Sequence, residues 1–162
     1  FWTRELSTSP EQGSFALTVF FSIGIFMTYI GGLLGDKYGP IKIIRLSLLV
    51  WLPAMFLLTE VPTFSPLIMM PVAYLLLLMI GAAKAISYSP VIVLGQTYLA
   101  KSIGFASGIT LGVSQTIGGV IAPVVGNLAD TYSLPVAMMT LVPFLVMGLG
   151  ASLILKDPKK LQ

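Results

Sequence analysis

The chain has 162 residues, 56% of them hydrophobic and only 9% charged. A soluble domain carries about 25% charged residues, so this few charges cannot enclose so apolar a chain in water, and the composition implies lipid as the solvent. The net charge of +3 comes from nine scattered basic residues, which excludes a nucleic-acid surface; with no cysteine and no histidine, disulfides, thiolate chemistry and imidazole-bound metals are excluded too.

Crossing about 30 Å of hydrocarbon takes about 20 helical residues. Only helices satisfy their own backbone in lipid over single segments, and the apolar runs here lack the alternation of barrel strands. The chain opens on Phe1-Trp2-Thr3-Arg4 without a signal-peptide pattern. Residues 1–13 are expected to be the end of a preceding helix and an outer loop, in a chain whose upstream part is missing.

The first span is expected at 14–35. Its start carries Ser9-Pro10-Glu11-Gln12, a serine cap with proline at the first helical position and glutamine at the third. Gly24, Thr28 and Gly32, with Gly31 and Gly35 on a neighbouring row, form a small-residue stripe that lets helix backbones approach closely. A charged, glycine-rich hinge follows, Gly32-Leu33-Leu34-Gly35-Asp36-Lys37-Tyr38-Gly39-Pro40-Ile41-Lys42. Asp36 lies near a helix C-terminus, where the dipole disfavours a carboxylate. Lys37, Lys42, Arg45 or the start of a neighbouring helix is expected to compensate it.

The second span is expected at 41–59. The third, at 66–99, is long enough to project beyond the bilayer and holds Lys84. The fourth, at 102–129, carries two more stripes, Gly104-Gly108-Gly112 and Gly118-Ala122-Gly126. The fifth is expected at 133–155, before a tail at 156–162. Pro53, Pro71, Pro90, Pro123 and Pro143 fall inside these runs, and each favours a kink.

Five spans put the two ends on opposite sides. The hinge side collects Lys37, Lys42, Arg45, Lys101, Lys156, Lys159 and Lys160, whereas the other side has Arg4 alone, beside Glu5, Glu11, Glu60 and Asp130. This bias places the hinge and the C-terminus in the cytoplasm.

The hinge pattern, carried by Gly32, Asp36, Lys37, Gly39 and Lys42, resembles the loop signature of the major facilitator superfamily. That signature occurs between helices two and three and, more loosely, between helices eight and nine. Pro40 and Ile41 stand where basic residues are usual, which favours the looser copy. Gly118-Gly119-Val120-Ile121-Ala122-Pro123-Val124-Val125-Gly126-Asn127 resembles the family's glycine–proline helix-bend pattern, with Ala122 and Asn127 in place of two glycines. A degenerate copy of that pattern suits helix eleven, because the two halves are structural repeats. The resemblance therefore implies an all-α polytopic membrane protein, helices eight to twelve of a twelve-helix transporter, and a partial six-helix half-bundle. Within the family, Val93-Leu94-Gly95-Gln96-Thr97-Tyr98-Leu99, Gly104 with Ala106-Ser107-Gly108, and Gly126 with Leu128-Ala129-Asp130 resemble the fosmidomycin-resistance group of drug exporters.

The resemblance implies a gating role for Gly32, Asp36, Lys37, Gly39, Lys42 and Arg45, a charge network that locks and releases the two halves; a solvated turn with basic anchoring is the plainer reading. Lys84 is the only charge well inside an apolar run, which makes it a functional candidate. At 18 residues from Pro66 it lies about 27 Å along the helix, so snorkelling to the basic face competes with binding an anionic group or a carboxylate of the absent half. Tyr88, Gln96 and Gln115 are further substrate-binding candidates, with Ser114, Thr116, Tyr74 and Tyr98 as lesser ones. Interhelical hydrogen bonding competes for Gln115. The helix-bend motif is Gly118, Ala122, Pro123 and Gly126. No acidic residue lies deep in any run, so a titrating carboxylate for proton coupling is expected in the missing half.

No catalytic constellation, metal site or cofactor motif is present. The expected protein is a secondary active transporter of a bacterial cytoplasmic membrane, partnered by lipid, a small-molecule substrate, protons and an N-terminal half. Proton-coupled efflux of a drug or small organic anion is the favoured activity. An uptake carrier for sugars, organic acids or inorganic anions, and a non-transporting subunit or inactive half, are the alternatives.

Overall fold

The computed structural model describes residues 1–155; the tail at 156–162, with Lys156, Lys159 and Lys160, lies outside the described residues. Every regular element among them is helical: α1 (Pro10–Tyr38), α2 (Pro40–Glu60), α3 (Pro66–Tyr98), α4 (Ile103–Gly108), α5 (Ser114–Thr131), α6 (Leu134–Met139) and α7 (Val142–Ile154), with short 3-10 turns at Val61–Thr63 and Ala100–Ser102 and a π turn at Ile109–Val113. Five stretches are long and apolar enough to cross a membrane, Pro10–Tyr38, Pro40–Thr63, Leu67–Tyr98, Ala100–Thr131 and Leu134–Ile154. The chain is the all-α polytopic protein that its composition implies.

Local chemistry sets the boundaries. The Ser9 hydroxyl accepts from the Gln12 backbone N–H at 3.4 Å, and Glu11 lies in the positive first turn. The helix therefore starts at Pro10, and residues 10–13 belong to α1 rather than to a loop. Residues 1–8 form turns instead of a helix end. Trp2 packs its ring against Tyr74 of α3, with centroids 4.5 Å apart.

The hinge is shorter than its sequence suggests. Asp36, Lys37 and Tyr38 complete the last turn of α1, Pro40 opens α2, and Gly39 alone connects them. Gly39 takes φ 95° and ψ 138°, a conformation open to glycine and strained for any residue with a Cβ. Gly39→Ala is expected to destabilise the purified protein by about 1–3 kcal/mol, read as a lower melting temperature. The reversal also sets the positive end of α2 beside the negative end of α1.

The fourth span is not one regular helix. It runs through 3-10, α, π and α segments. The fifth breaks between Met139 and Val142. There Pro143 has no N–H to give to Met139 and its ring would clash with that carbonyl, and Thr140 turns its hydroxyl onto Ala137 O at 2.6 Å. Pro53, Pro71, Pro90 and Pro123 sit inside helices that continue through them.

Packing centres on α3, which lies against both α1 and α2, while those two pack far less on each other. A Cβ at Gly31 would collide with the carbonyl oxygen of Ile86; Cβ atoms at Gly32 and Gly35 would stand 3.2 Å from Ser89 Oγ and from Pro90 Cγ. The α1 stripe thus works as a contact row, and its register shows α1 and α3 running the same way. One apolar core gathers Leu6, Ala54, Met55, Leu58, Val61, Ala73, Leu76 and Ile80. A second, nearer the hinge, gathers Ile41, Ile44, Leu48 and Leu94, with Leu145 and Leu149 of α7 against it.

The fourth-span stripes differ. Cβ atoms at Gly104, Gly108, Gly112, Gly118 and Gly126 would meet nothing within 4 Å, and α5 has no buried residue. Among the described residues, the dense packing expected of every stripe is found only at α1.

Candidate functional site

The hairpin end joining α1 and α2 gathers the basic residues of the hinge. Lys37 and Lys42 place their Nζ atoms 5.2 and 5.8 Å from the Tyr38 ring centroid, each a cation–π contact. Arg45 also reaches α7. Its Nε donates to Ser152 O at 2.9 Å, and its Nη2 donates to Ser152 O and to Leu155 O. A guanidinium on the last carbonyls of α7 satisfies orphan acceptors and complements the negative helix end, so Arg45 ties α2 to α7. Gly32 sits a turn deeper than Asp36, against Ser89. The six proposed gating residues therefore share one end of the bundle but have different neighbours.

The second feature lies between α1 and α3. Gly81 favours a close approach here, because a Cβ would stand 3.0 Å from side-chain atoms of both Phe20 and Ile23. The close approach leaves a groove of about 260 Å³ lined by Phe20, Gly24, Ile25 and Thr28 of α1 and by Lys84 and Tyr88 of α3. Lys84 and Tyr88 are four apart, hence on one helical face. The Lys84 ammonium stands 5.4 Å from the Phe20 ring centroid, and the side chain is exposed to the groove.

Lys84 lies close to the midpoint of α3 and level with the middle of α1. From there the hinge end of α3 is about 20 Å away at 1.5 Å per residue, beyond the reach of one side chain. Phe20 and Lys84 also line a second cavity, of about 490 Å³, with Trp51, Met55, Phe144 and Leu145. The Trp51 Nε1 is buried there without a hydrogen-bond partner among the described residues, an unmet donor in a wall whose other polar group is Lys84.

The other candidates lie apart. Gln96 donates from Nε2 to Ser107 Oγ at 2.9 Å, a bond from α3 to α4. Gln115 lies on the exposed surface of α5, together with Gly118, Ala122, Pro123 and Gly126. Sequence reasoning brought out Lys84 and Tyr88 but missed Phe20 and Trp51. Phe20 is one of many apolar residues in α1 and gave no signal. Trp51 did give one, since a tryptophan deep in a span, away from the interfaces where tryptophans gather, needs a partner for its N–H.

Five membrane-length helices, a charged hairpin and an apolar groove bearing one cation define a polytopic membrane protein with small-molecule-sized cavities. The chain belongs to the Major Facilitator Superfamily, which matches residues 1–162. It is 31% identical over 151 residues to the uncharacterized MFS-type transporter YfnC of Bacillus subtilis (strain 168), a match covering 93% of this chain and 35% of that protein. The chain thus spans about a third of that relative's length. No solved structure gives a significant match. Family membership supports a transporter rather than an enzyme.

Proposed function

We propose that the chain is the helix-eight-to-twelve part of a secondary active transporter in a bacterial cytoplasmic membrane. It would export a drug or small organic anion in exchange for protons by alternating access, with hinge and C-terminus in the cytoplasm. The observation that carries this reading is the mid-span groove: a single ammonium among Phe20, Ile25, Thr28 and Tyr88, suited to an anionic head on a partly apolar body. An intramembrane lysine is costly and is kept where it faces a cavity or a partner.

Placement in the C-terminal half rests on the looser hinge, with Pro40 and Ile41, and on the degenerate bend motif, with Ala122 and Asn127. The likeness of the third and fourth spans to fosmidomycin-resistance exporters supports a phosphonate-type anion. The small-residue face of α4 and α5, which meets nothing among the described residues, supports a second bundle against which this one rocks. Asp36, Lys37 and Lys42 at the hairpin end then act as the latch between the two states.

Flux tests the coupling. The protein in its full natural length, reconstituted in vesicles, is expected to concentrate a small phosphonate against its gradient only when a pH gradient is imposed. Flux that merely equilibrates, with or without the pH gradient, would remove the proton-exchange reading.

A further inference from the structure

A third cavity, of about 430 Å³, opens in the notch between α1 and α2. Its origin is topological. Gly39 holds the two helix ends together, but both helices commit their packing to α3, so the notch between them stays open. Its floor is apolar, formed by Leu34 of α1 and Ile43, Leu46 and Leu49 of α2. Its hinge-end rim carries Tyr38, Lys42 and Arg45, with Lys37 reaching the same tyrosine ring. Arg45 is already engaged with the carbonyls of α7, which leaves Lys42 on the rim, with Lys37 beside it over the Tyr38 ring. Among the described residues no acidic side chain lines the cavity. Asp36, two positions before Tyr38, falls about 200° around α1 from it, on the far side of that helix.

Polarity along the notch is graded. Lys42, Leu46 and Leu49 are exposed at helical spacing on one face of α2, a row about 10 Å long that runs from a cation at the hinge end to leucines towards the membrane interior. A free anion would leave the leucine floor unused, and an apolar partner helix would leave two ammoniums unmatched. An amphiphile with an anionic head and a hydrocarbon tail uses both.

We propose that this notch binds an anionic phospholipid, with its phosphate at Lys37 and Lys42 and one acyl chain along Leu34, Leu46 and Leu49. The charge of the rim selects the head, and the floor selects a tail over a soluble phosphate. Such a lipid would brace the one-residue reversal at Gly39. The inference does not depend on what the protein transports.

Native mass spectrometry of the full-length protein, titrated with phosphatidylglycerol and in parallel with phosphatidylcholine, tests it. Phosphatidylglycerol is expected to give the more abundant adduct. Lys42→Gln is expected to weaken that adduct about fivefold, and Lys37→Gln with Lys42→Gln about 25-fold, at roughly 1 kcal/mol per lysine near an anionic head. Lys42→Arg should retain it. Leu46→Asn, at a side chain 59% exposed, should weaken the adduct without lowering the melting temperature, whereas Lys101→Gln, outside the notch, should leave it unchanged. Glycerol 1-phosphate, a head without a tail, should not displace the lipid. Equal adducts from the two lipids, an unchanged adduct in Lys42→Gln, an unchanged adduct in Leu46→Asn, or displacement by glycerol phosphate would each overturn the proposal.

Discussion

Lys84→Met is expected to lower transport of an anionic substrate by about 10- to 100-fold while leaving the melting temperature unchanged or higher. The two readouts move differently for a physical reason. A hydrogen bond to a charged group contributes about 1.5–3 kcal/mol, so losing the ammonium should raise the concentration for half-maximal transport by one to two decades. The protein itself loses only the contact with Phe20, about 2 kcal/mol for a desolvated cation. It is relieved of holding a charge in the membrane interior, which insertion scales place at about 2.5–3.5 kcal/mol at a helix centre. Methionine keeps most of the side-chain length and apolar contact. Lys84→Arg should keep part of the transport, because the charge remains while its shape changes. Initial rates in vesicles over a range of substrate concentrations, beside thermal unfolding of the purified protein, give both quantities. A lysine that only braces α1 against α3 would show the reverse, with a lower melting temperature and an unchanged substrate dependence.

Gly31→Leu is expected to have the largest effect on folding of any substitution in α1. Even the first carbon of a new side chain collides with the Ile86 carbonyl, and that backbone is fixed within α3. Overpacking typically destabilises by 1–3 kcal/mol through side-chain shifts alone. Here the helices themselves have to separate, which opens the contacts at Gly32 with Ser89 and at Gly35 with Pro90. The α1–α3 groove holding Lys84 would widen with them, so transport should fall together with abundance in the membrane. Gly13→Ala is the matched control. Its Cβ would meet Thr3 and Trp2 at 3.7 and 3.8 Å, ordinary contact distances, and alanine is the better helix former by about 0.8–1 kcal/mol. Abundance by membrane blot and the melting temperature in detergent would separate the two variants. Equal behaviour of both would mean that α1 and α3 do not meet at Gly31.

Parts of this architecture were readable because their causes are local. Ser9 and Pro10 announce the start of α1, and Gly39 with Pro40 announces the reversal. The π turn at Ile109–Val113 had no such marker, since glycines at 104, 108 and 112 fit a regular helix equally well. The break before Val142 was only half visible. Pro143 signalled a kink, but four other span prolines sit in continuous helices, and nothing local to each distinguishes them. At the candidate site, Lys84 stood out as a charge in an apolar run, while its aromatic neighbour Phe20 did not. Arg45 was grouped with the hinge by its position in the chain. Its partner, Ser152 O, lies 107 positions away, and a backbone carbonyl leaves no mark in a sequence.

By itself the sequence determined that the chain is built of five apolar runs long enough to cross a membrane, with Lys37, Lys42 and Arg45 grouped around one hinge. These follow from run length, from cap and turn residues and from the desolvation of charge, each fixed within a few residues. The tertiary structure alone decided which faces meet: that Gly31 and Gly35 pack on α3 while the fourth-span glycines meet nothing among the described residues, and that Lys84 shares a groove with Phe20 and Thr28. The reason is the solvent. In water a helix shows its inner face by its apolar stripe; in lipid both faces are apolar, and association is decided by close packing and interhelical bonds, which only the assembled helices display.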